Sequence, residues 1–309
     1  MTDKENVLNM PNMDNIAKVT KPANSQPPIV LQELPSMPTL LGKAAFKSGT
    51  YVLGDPLPGL NTQINDLVVN PEHLRAYQEL CGFQLTDKLP ATYLHMLGFP
   101  LFLNILIQQD FPMRAMGQVH LRNQISVHHA FDIRQPINMS AAIGKSVVTA
   151  KGLEWDIDVS ATVDNEVVWS GESTFLHRCK TDIPRATTAP IRRDGEPLKW
   201  HVGADIGRRY ARVSGDYNPI HLTDITAKLF GFKQAIAHGM WSKAKCIAAL
   251  DKQIPDAGYS VDVTFHRPLF LPSDVLFYSQ QRDGQQQFSL FNKPGQQAHL
   301  EGVIKETSI

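Results

Sequence analysis

The 309-residue chain lays onto itself. At an offset of 133 residues, RAYQELCGF (Arg75 to Phe83) aligns with RRYARVSGD (Arg208 to Asp216), matching Arg75 with Arg208, Tyr77 with Tyr210, Gly82 with Gly215 and, conservatively, Leu80 with Val213. Each copy leads through a His-Met or His-Gly-Met entry into an apolar helical run, YLHMLGFPLFLNIL from Tyr93 and IAHGMWSKAKCIAAL from Ile236. Alternating, strand-like segments follow in both: VHLRNQISVHHAFD, AAIGKSVVTAKGLEWDIDVSATV and EVVWSGESTFLHR in the first, YSVDVTFHRPLF, DVLFYSQQ, QFSLFNK and AHLEGVIKE in the second. A recurring unit constrains the fold more than composition does, because whatever buries one copy must bury the other.

One apolar helix for four or five antiparallel strands can be buried only if the sheet wraps around it. The expected fold is therefore α+β, a double hot-dog with each half an antiparallel sheet wrapped around a central apolar helix. Placed edge to edge, two such sheets cover edges that would otherwise be open to foreign strands. One chain then imitates a homodimer, and a homodimer of two such double units is a further expectation. The expected organisation is a mobile or loosely docked polar extension over 1–35, an N-terminal hot-dog over 36–180, a linker over 181–197 and a C-terminal hot-dog over 198–309. The linker, TDIPRATTAPIRRDGEP, is rich in Pro, Arg and Thr and has no period.

The copies differ where chemistry could sit. In the second, Ser214-Gly215-Asp216 opens the string VSGDYNPIH (Val213 to His221); in the first, Cys81-Gly82-Phe83 runs into QLTDKLP with no Asn-Pro-x-His. Asp, Asn and Pro also build ordinary turns. A turn alone would tolerate the same letters in both copies, however, so the asymmetry points to one half bearing chemistry and the other bearing shape.

Composition narrows the class. A hydrophobic share of 42% and a charged share of 19% are those of a soluble globular protein, and a formal net charge of zero offers no electrostatic footprint for nucleic acid. Cys81, Cys179 and Cys246 are few, odd in number and far apart, so neither a disulfide framework nor a zinc site is indicated. The N-terminal residues lack a cationic start followed by an apolar block, and LGFPLFLNILI (Leu97 to Ile107), interrupted by Pro100 and Asn104, suits a buried helix rather than a membrane span. A cytoplasmic protein without membrane partner is expected. His120, His128 and His129 lack nearby Cys or carboxylate at ligand spacing, so no metal is expected. Trp155, Trp169, Trp200 and Trp241 read as core or interface residues, and His238 as structural.

The string from Tyr210 to His221 (YARVSGDYNPIH), with Ala227 six positions later and IAHGM beyond, resembles the hydratase motif of the MaoC-like dehydratases, which include the (R)-specific enoyl-CoA hydratases. LPATYLHMLGFPL and MGQVHLRNQI resemble, more weakly, the first hot-dog of the two-domain 3-hydroxyacyl-thioester dehydratases. The resemblance implies a double hot-dog that needs no cofactor and interconverts trans-2-enoyl and (R)-3-hydroxyacyl thioesters carried by coenzyme A or acyl carrier protein. It implies a catalytic pair Asp216 and His221, Asn218 supporting their geometry, and Gly239 offering its backbone N–H to the thioester oxygen.

The residue types suit that chemistry. Hydration needs one group to deprotonate water and one to return a proton to Cα, and an imidazole beside a carboxylate supplies both. A glycine where a helix begins lets an acyl group approach unpaired N–H donors and a partial positive charge. Two other readings stand beside this one: a non-catalytic acyl-thioester binding or scaffold protein, and a hot-dog thioesterase.

Overall fold

The structure, a computed structural model, describes residues 19–185, 190–193 and 195–307. Its strands are β1 (Ala23–Ser25), β2 (Ile29–Leu31), β3 (Pro58–Gly59), β4 (Asn61–Leu67), β5 (Val119–Val127), β6 (Ile137–Thr149), β7 (Gly152–Val163), β8 (Glu166–His177), β9 (Leu198–Val202), β10 (Tyr259–Phe265), β11 (Ser273–Arg282), β12 (Gln285–Asn292) and β13 (Ala298–Glu306). Its helices are α1 (Met37–Phe46), α2 (Pro71–Cys81), α3 (Ala91–Ile107), α4 (Ile206–Ser214), α5 (Asp224–Leu229) and α6 (Gly239–Ala248).

Eleven strands form one sheet in the order β2-β4-β6-β7-β8-β5-β10-β13-β12-β11-β9. The repeat explains this order. In the first half the strands run β4-β6-β7-β8-β5, and in the second β9-β11-β12-β13-β10, the same succession within each copy. The two meet at the antiparallel pair β5–β10, where Ile125 faces Val261 and Asn123 faces Val263. Each half thus supplies the other's missing neighbour at that edge, which is how a double hot-dog disposes of two open edges.

The helices repeat as well. Helices α2 and α4 both end on a left-handed glycine, Gly82 at φ 88° and Gly215 at φ 74°, each sending its N–H four residues back, to Gln78 and Ala211. They pack on each other across the seam, with the Tyr77 and Tyr210 rings 6.3 Å apart. His73 on α2 bonds the Val213 carbonyl through Nε2 at 2.8 Å, tying the halves together beside the motif. Helix α3, apolar on nearly every side, is enclosed by β4, β5, β6 and β7. Pro100 lies within it and Asn104 accepts a bond from the Thr62 hydroxyl, so the two residues that interrupt the apolar run are absorbed by a buried helix. No helix among the described residues is long and apolar enough to cross a membrane.

Of the expected N-terminal extension, residues 1–18 lie outside the described residues. Residues 19–35 are docked on the first half: β1 pairs with β3, β2 adds in parallel to β4, and Thr20 bridges to Ser146. In the expected linker, residues 186–189 and 194 lie outside the described residues, and the remainder forms no helix or strand before β9.

Candidate active site

The motif loop is built by its own side chains. At the end of α4 the Ser214 hydroxyl donates to the Tyr210 carbonyl at 2.9 Å and accepts the Asp216 N–H at 3.2 Å. Asp216 Oδ1 accepts the Asn218 N–H at 3.1 Å, an Asx turn, and Asn218 Oδ1 in turn accepts the Ile220 N–H at 3.4 Å. Pro219, with its fixed φ, starts a single 3-10 turn (Pro219–His221) capped by Asn218. This carries the His221 side chain inward to near-complete burial. Gly207 on α4 makes the approach possible, since a Cβ there would overlap the His221 carbonyl oxygen.

A second segment closes on the loop. Thr223 and Thr226 form a reciprocal capping box at the start of α5, Asp224 Oδ1 accepts the Ala235 N–H at 2.9 Å, and the Ile236 N–H donates to the Ile220 carbonyl at 3.1 Å. The Ile236 carbonyl accepts from His221 Nδ1 at 2.8 Å. Because a carbonyl can only accept, Nδ1 carries the proton and Nε2 is left with its lone pair. His238, the residue before α6, donates from Nε2 to the Asp216 carbonyl at 2.9 Å, and its ring stacks on that of His221 with centroids 3.7 Å apart. Asp216, His221 and His238 thereby bring one ligand atom each within 4.8 Å of one another, with Gly239 beginning α6 beside them.

Burial sets the protonation states. It raises the Asp216 carboxyl above its usual range, against the pull of His221 and the Asn218 N–H, although a quarter of that side chain (26%) remains open at the mouth of the site. Burial lowers the His221 imidazole, opposed by Asp216 and the Ile236 carbonyl, and lowers His238 much further, with His221 adding to the effect. The pKa values of Asp216 and His221 therefore move toward each other, which makes relocating a proton between them cheap.

The same three residues could be weighed as metal ligands. The His221 and His238 rings lie only 26° from parallel, so their in-plane lone pairs do not converge on one point at about 2.0–2.1 Å, as a bound metal requires. The arrangement suits proton handling. A surface depression of about 560 Å³ along α1 offers Lys43 and Lys47 but no acid or nucleophile, so chemistry rather than size locates the site.

Of the residues singled out from the sequence, Asp216, His221 and Gly239 are brought together. Asn218 shapes the turn between the first two. His128 bonds Ser170 at 2.9 Å, and His120 stacks on Phe175, away from this loop. Sequence reasoning missed two residues, Gly207 and Lys243, and it read His238 as structural without foreseeing its hydrogen bond to the Asp216 carbonyl. Lys243 is fully buried and donates to the Asn123 carbonyl (2.9 Å), Asn123 Oδ1 (2.6 Å) and the Val261 carbonyl (3.0 Å). One turn beyond Gly239, it pins α6 to the β5–β10 seam. The signal was present in two lysines, Lys243 and Lys245, inside an otherwise largely apolar run, although the letters do not say which of them is buried.

Comparison with known proteins agrees with this geometry. A family model described as a MaoC like domain matches residues 182–301. The 3-hydroxyacyl-thioester dehydratase X of Mycobacterium tuberculosis is 30% identical over 255 residues, 81% of this chain and 91% of that protein. The crystal structure of the same mycobacterial protein, HtdX, superposes with a TM-score of 0.70 at 29% identity, covering 80% of this chain and 99% of that one. A MaoC-like dehydratase from Phytophthora capsici shares the fold, with a TM-score of 0.64 at 19% identity over 82% of this chain and 96% of its own. With its double hot-dog and its relatedness along most of its length to an enzyme of this kind, the chain belongs to the MaoC-like dehydratase family.

Proposed function

We propose that the chain reversibly hydrates trans-2-enoyl thioesters to (R)-3-hydroxyacyl thioesters, acting as a 3-hydroxyacyl-thioester dehydratase in the reverse direction. The observation that carries this reading is the fixed tautomer of His221: Nδ1–H is held by the Ile236 carbonyl, so Nε2 faces the site as an acceptor beside the Asp216 carboxylate.

A water held by Asp216 and His221 loses a proton to Nε2 as its oxygen bonds Cβ. Negative charge moves through Cα to the thioester oxygen, where the Gly239 N–H, unpaired within the helix, receives it with the positive end of the helix dipole. The pair then returns the proton to Cα. Asp216 keeps the water in place and stabilises the transient imidazolium. His238, bonded to the Asp216 backbone, holds the α6 N-terminus in register with the loop.

The thioester is carried by coenzyme A or by acyl carrier protein, the two sharing one pantetheine arm. The N-terminal hot-dog lacks the pair and serves the shape of the site. Hydration of crotonyl-CoA, followed by loss of enoyl absorbance, tests the reading; no turnover would overturn it. Because water is held on one face while the thioester oxygen is pinned, the product is a single enantiomer. An (S)-specific 3-hydroxyacyl-CoA dehydrogenase coupled to the assay should give no NADH signal, and strong NADH formation would refute the assignment of the (R) product.

A further inference from the structure

Helix α4 ends by launching the motif loop, and the last carbonyls of a helix have no partner within it. The carbonyl of Val213, three positions before Asp216, is met from the other half, by His73 Nε2 of α2 at 2.8 Å. A carbonyl can only accept, so Nε2 carries the proton, and in the neutral ring Nδ1 is an acceptor. Tyr93, fully buried at the start of α3, donates its hydroxyl to that Nδ1 at 3.0 Å. Its two predecessors fix the same end of α3: the Ala91 carbonyl accepts from Trp169 Nε1 of β8 at 2.8 Å, and Thr92 Oγ1 accepts the Tyr77 hydroxyl at 2.8 Å. A donor on α2 is thus oriented from the core of the first half and aimed at the helix that carries the motif of the second.

The repeat gives this contact a direction. At the offset of 133 residues the counterpart of His73 is Ile206, whose side chain has no donor to give, and the counterpart of Val213 is Leu80. The Leu80 carbonyl lies 3.5 Å from Trp241 Nε1 of α6, a long contact. A bond that merely packed α2 against α4 would serve both copies alike. This one runs toward the copy that holds Asp216, Asn218 and His221, as the motif itself does.

Between Val213 and Asp216 the chain is stiff except at one joint. Ser214 Oγ ties the Tyr210 carbonyl to the Asp216 N–H, and Asp216 Oδ1 takes the Asn218 N–H, so the carboxylate moves with the end of α4. The joint is Gly215, left-handed at φ 74°. On its far side His238 holds the Asp216 carbonyl at 2.9 Å. Imidazole donors from two other elements therefore grip the loop at both ends. With Val213 released, the helix end would settle about Gly215 while the Asp216 carbonyl stayed in place, and the carboxylate would turn away from His221.

We propose that His73 is a positioning residue for the hydration chemistry: it sets the Asp216 carboxylate against His221 through the Val213 carbonyl, and Tyr93 sets His73. The role rests on the dehydratase reading above.

The test uses the full chain, with kcat and KM for crotonyl-CoA hydration and a thermal melt to show that each variant is folded at the assay temperature. His73→Phe keeps a ring and removes the donor. Its kcat should fall about tenfold or more, the effect of a small misplacement of a reacting group, while KM stays within about twofold, as expected of a group that acts through the loop rather than on the thioester. His73→Gln, whose amide N–H can reach the same carbonyl, should restore kcat to within about threefold of wild type. Tyr93→Phe leaves the donor without its orientation and should lower kcat about threefold, the worth of one modest hydrogen bond. Combined with His73→Phe it should cost nothing further, because Tyr93 acts through His73. Unchanged kcat in folded His73→Phe overturns the proposal, as do equal losses in His73→Phe and His73→Gln. Should His73→Phe not fold, Tyr93→Phe decides in its place, and unchanged turnover there overturns the proposal. Wild-type turnover without loss in the variants fails the proposal alone, whereas absence of wild-type turnover fails the dehydratase reading and the proposal with it.

Discussion

Gly239→Ala should separate stability from activity. The glycine opens α6 without a left-handed φ, so alanine is compatible with the backbone there and gains up to about 1 kcal/mol of helix propensity. Against this, the new Cβ would meet Phe265 carbons at 3.1–3.3 Å, closer than ordinary contact, and the half-buried ring must yield by a few tenths of an ångström. The two effects are similar in size and opposite in sign, so the net change is within about 1 kcal/mol, or roughly 2 °C in melting temperature for a chain of 309 residues. Activity has no such compensation. The methyl would stand against Phe265 at the start of α6, where the proposed reaction places the thioester oxygen. Losing one such donor costs about 3–4 kcal/mol of transition-state stabilisation, so kcat/KM for crotonyl-CoA should fall by about a hundredfold or more. The paired measurement is a thermal melt and the enoyl absorbance assay on the same preparation. An unchanged melting temperature with unchanged kcat/KM would refute the placement of the acyl group at α6.

Asp216→Asn and His221→Ala should each lower hydration at least about a hundredfold in a folded protein, and the double variant should be little worse than the poorer single, because the pair acts as a unit; additive losses would contradict this. With Asp216 raised and His221 lowered, kcat/KM should fall as pH drops through the interval between ordinary carboxylate and imidazole values, and a flat profile there would contradict a base that must be neutral. Lys243→Met strands three buried acceptors and should destabilise the protein by about 3–5 kcal/mol, or about 5 °C or more in the melt, whereas a shift below about 1 °C would show that the lysine contributes no net stability. Asp158 sits opposite Glu172 across β7–β8, and partial burial with the nearby Glu172 and Asp156 charges raises its pKa from 3.8 to about 6. The folded state thus binds more protons than the unfolded state between those values, so its stability falls as pH rises from about 4 to 6 and the penalty persists above. Asp158→Asn should raise the melting temperature at pH above about 6 and leave it unchanged near pH 4, the gain being small because the side chain is open to water; a gain near pH 4 would reverse the sign.

The sheet was legible because the repeat carries two kinds of period at once. Arg75, Tyr77 and Gly82 matched their counterparts across 133 residues, and both glycines prove to be left-handed helix ends. The meeting of Asp216 with His221 could be read because the turn is local: Asn218 and Pro219 build it within five residues. What the letters did not disclose is contact between distant segments. His238 reaches Asp216 across 22 positions and Lys243 reaches Asn123 across 120, and both sit in a run whose apolar character suggested packing alone. The short strands β1 and β2 were hidden for a different reason. Three residues with Pro and Asn around them have no period to detect, and they pair only because a partner from a later segment, β3 for β1 and β4 for β2, is present to receive them.

The seam at β5–β10 has a consequence for how such a protein can vary. When two identical subunits share a sheet, every substitution is made twice, once where it shapes the partner's pocket and once beside the subunit's own reacting groups. A change that lengthens the cavity must also be tolerated by the chemistry. Covalent joining removes that coupling. Residues of the first half can be altered without any matching change near Asp216 or His221. Away from the seam, the first half is thereby free to vary while the motif loop of the second half stays as it is.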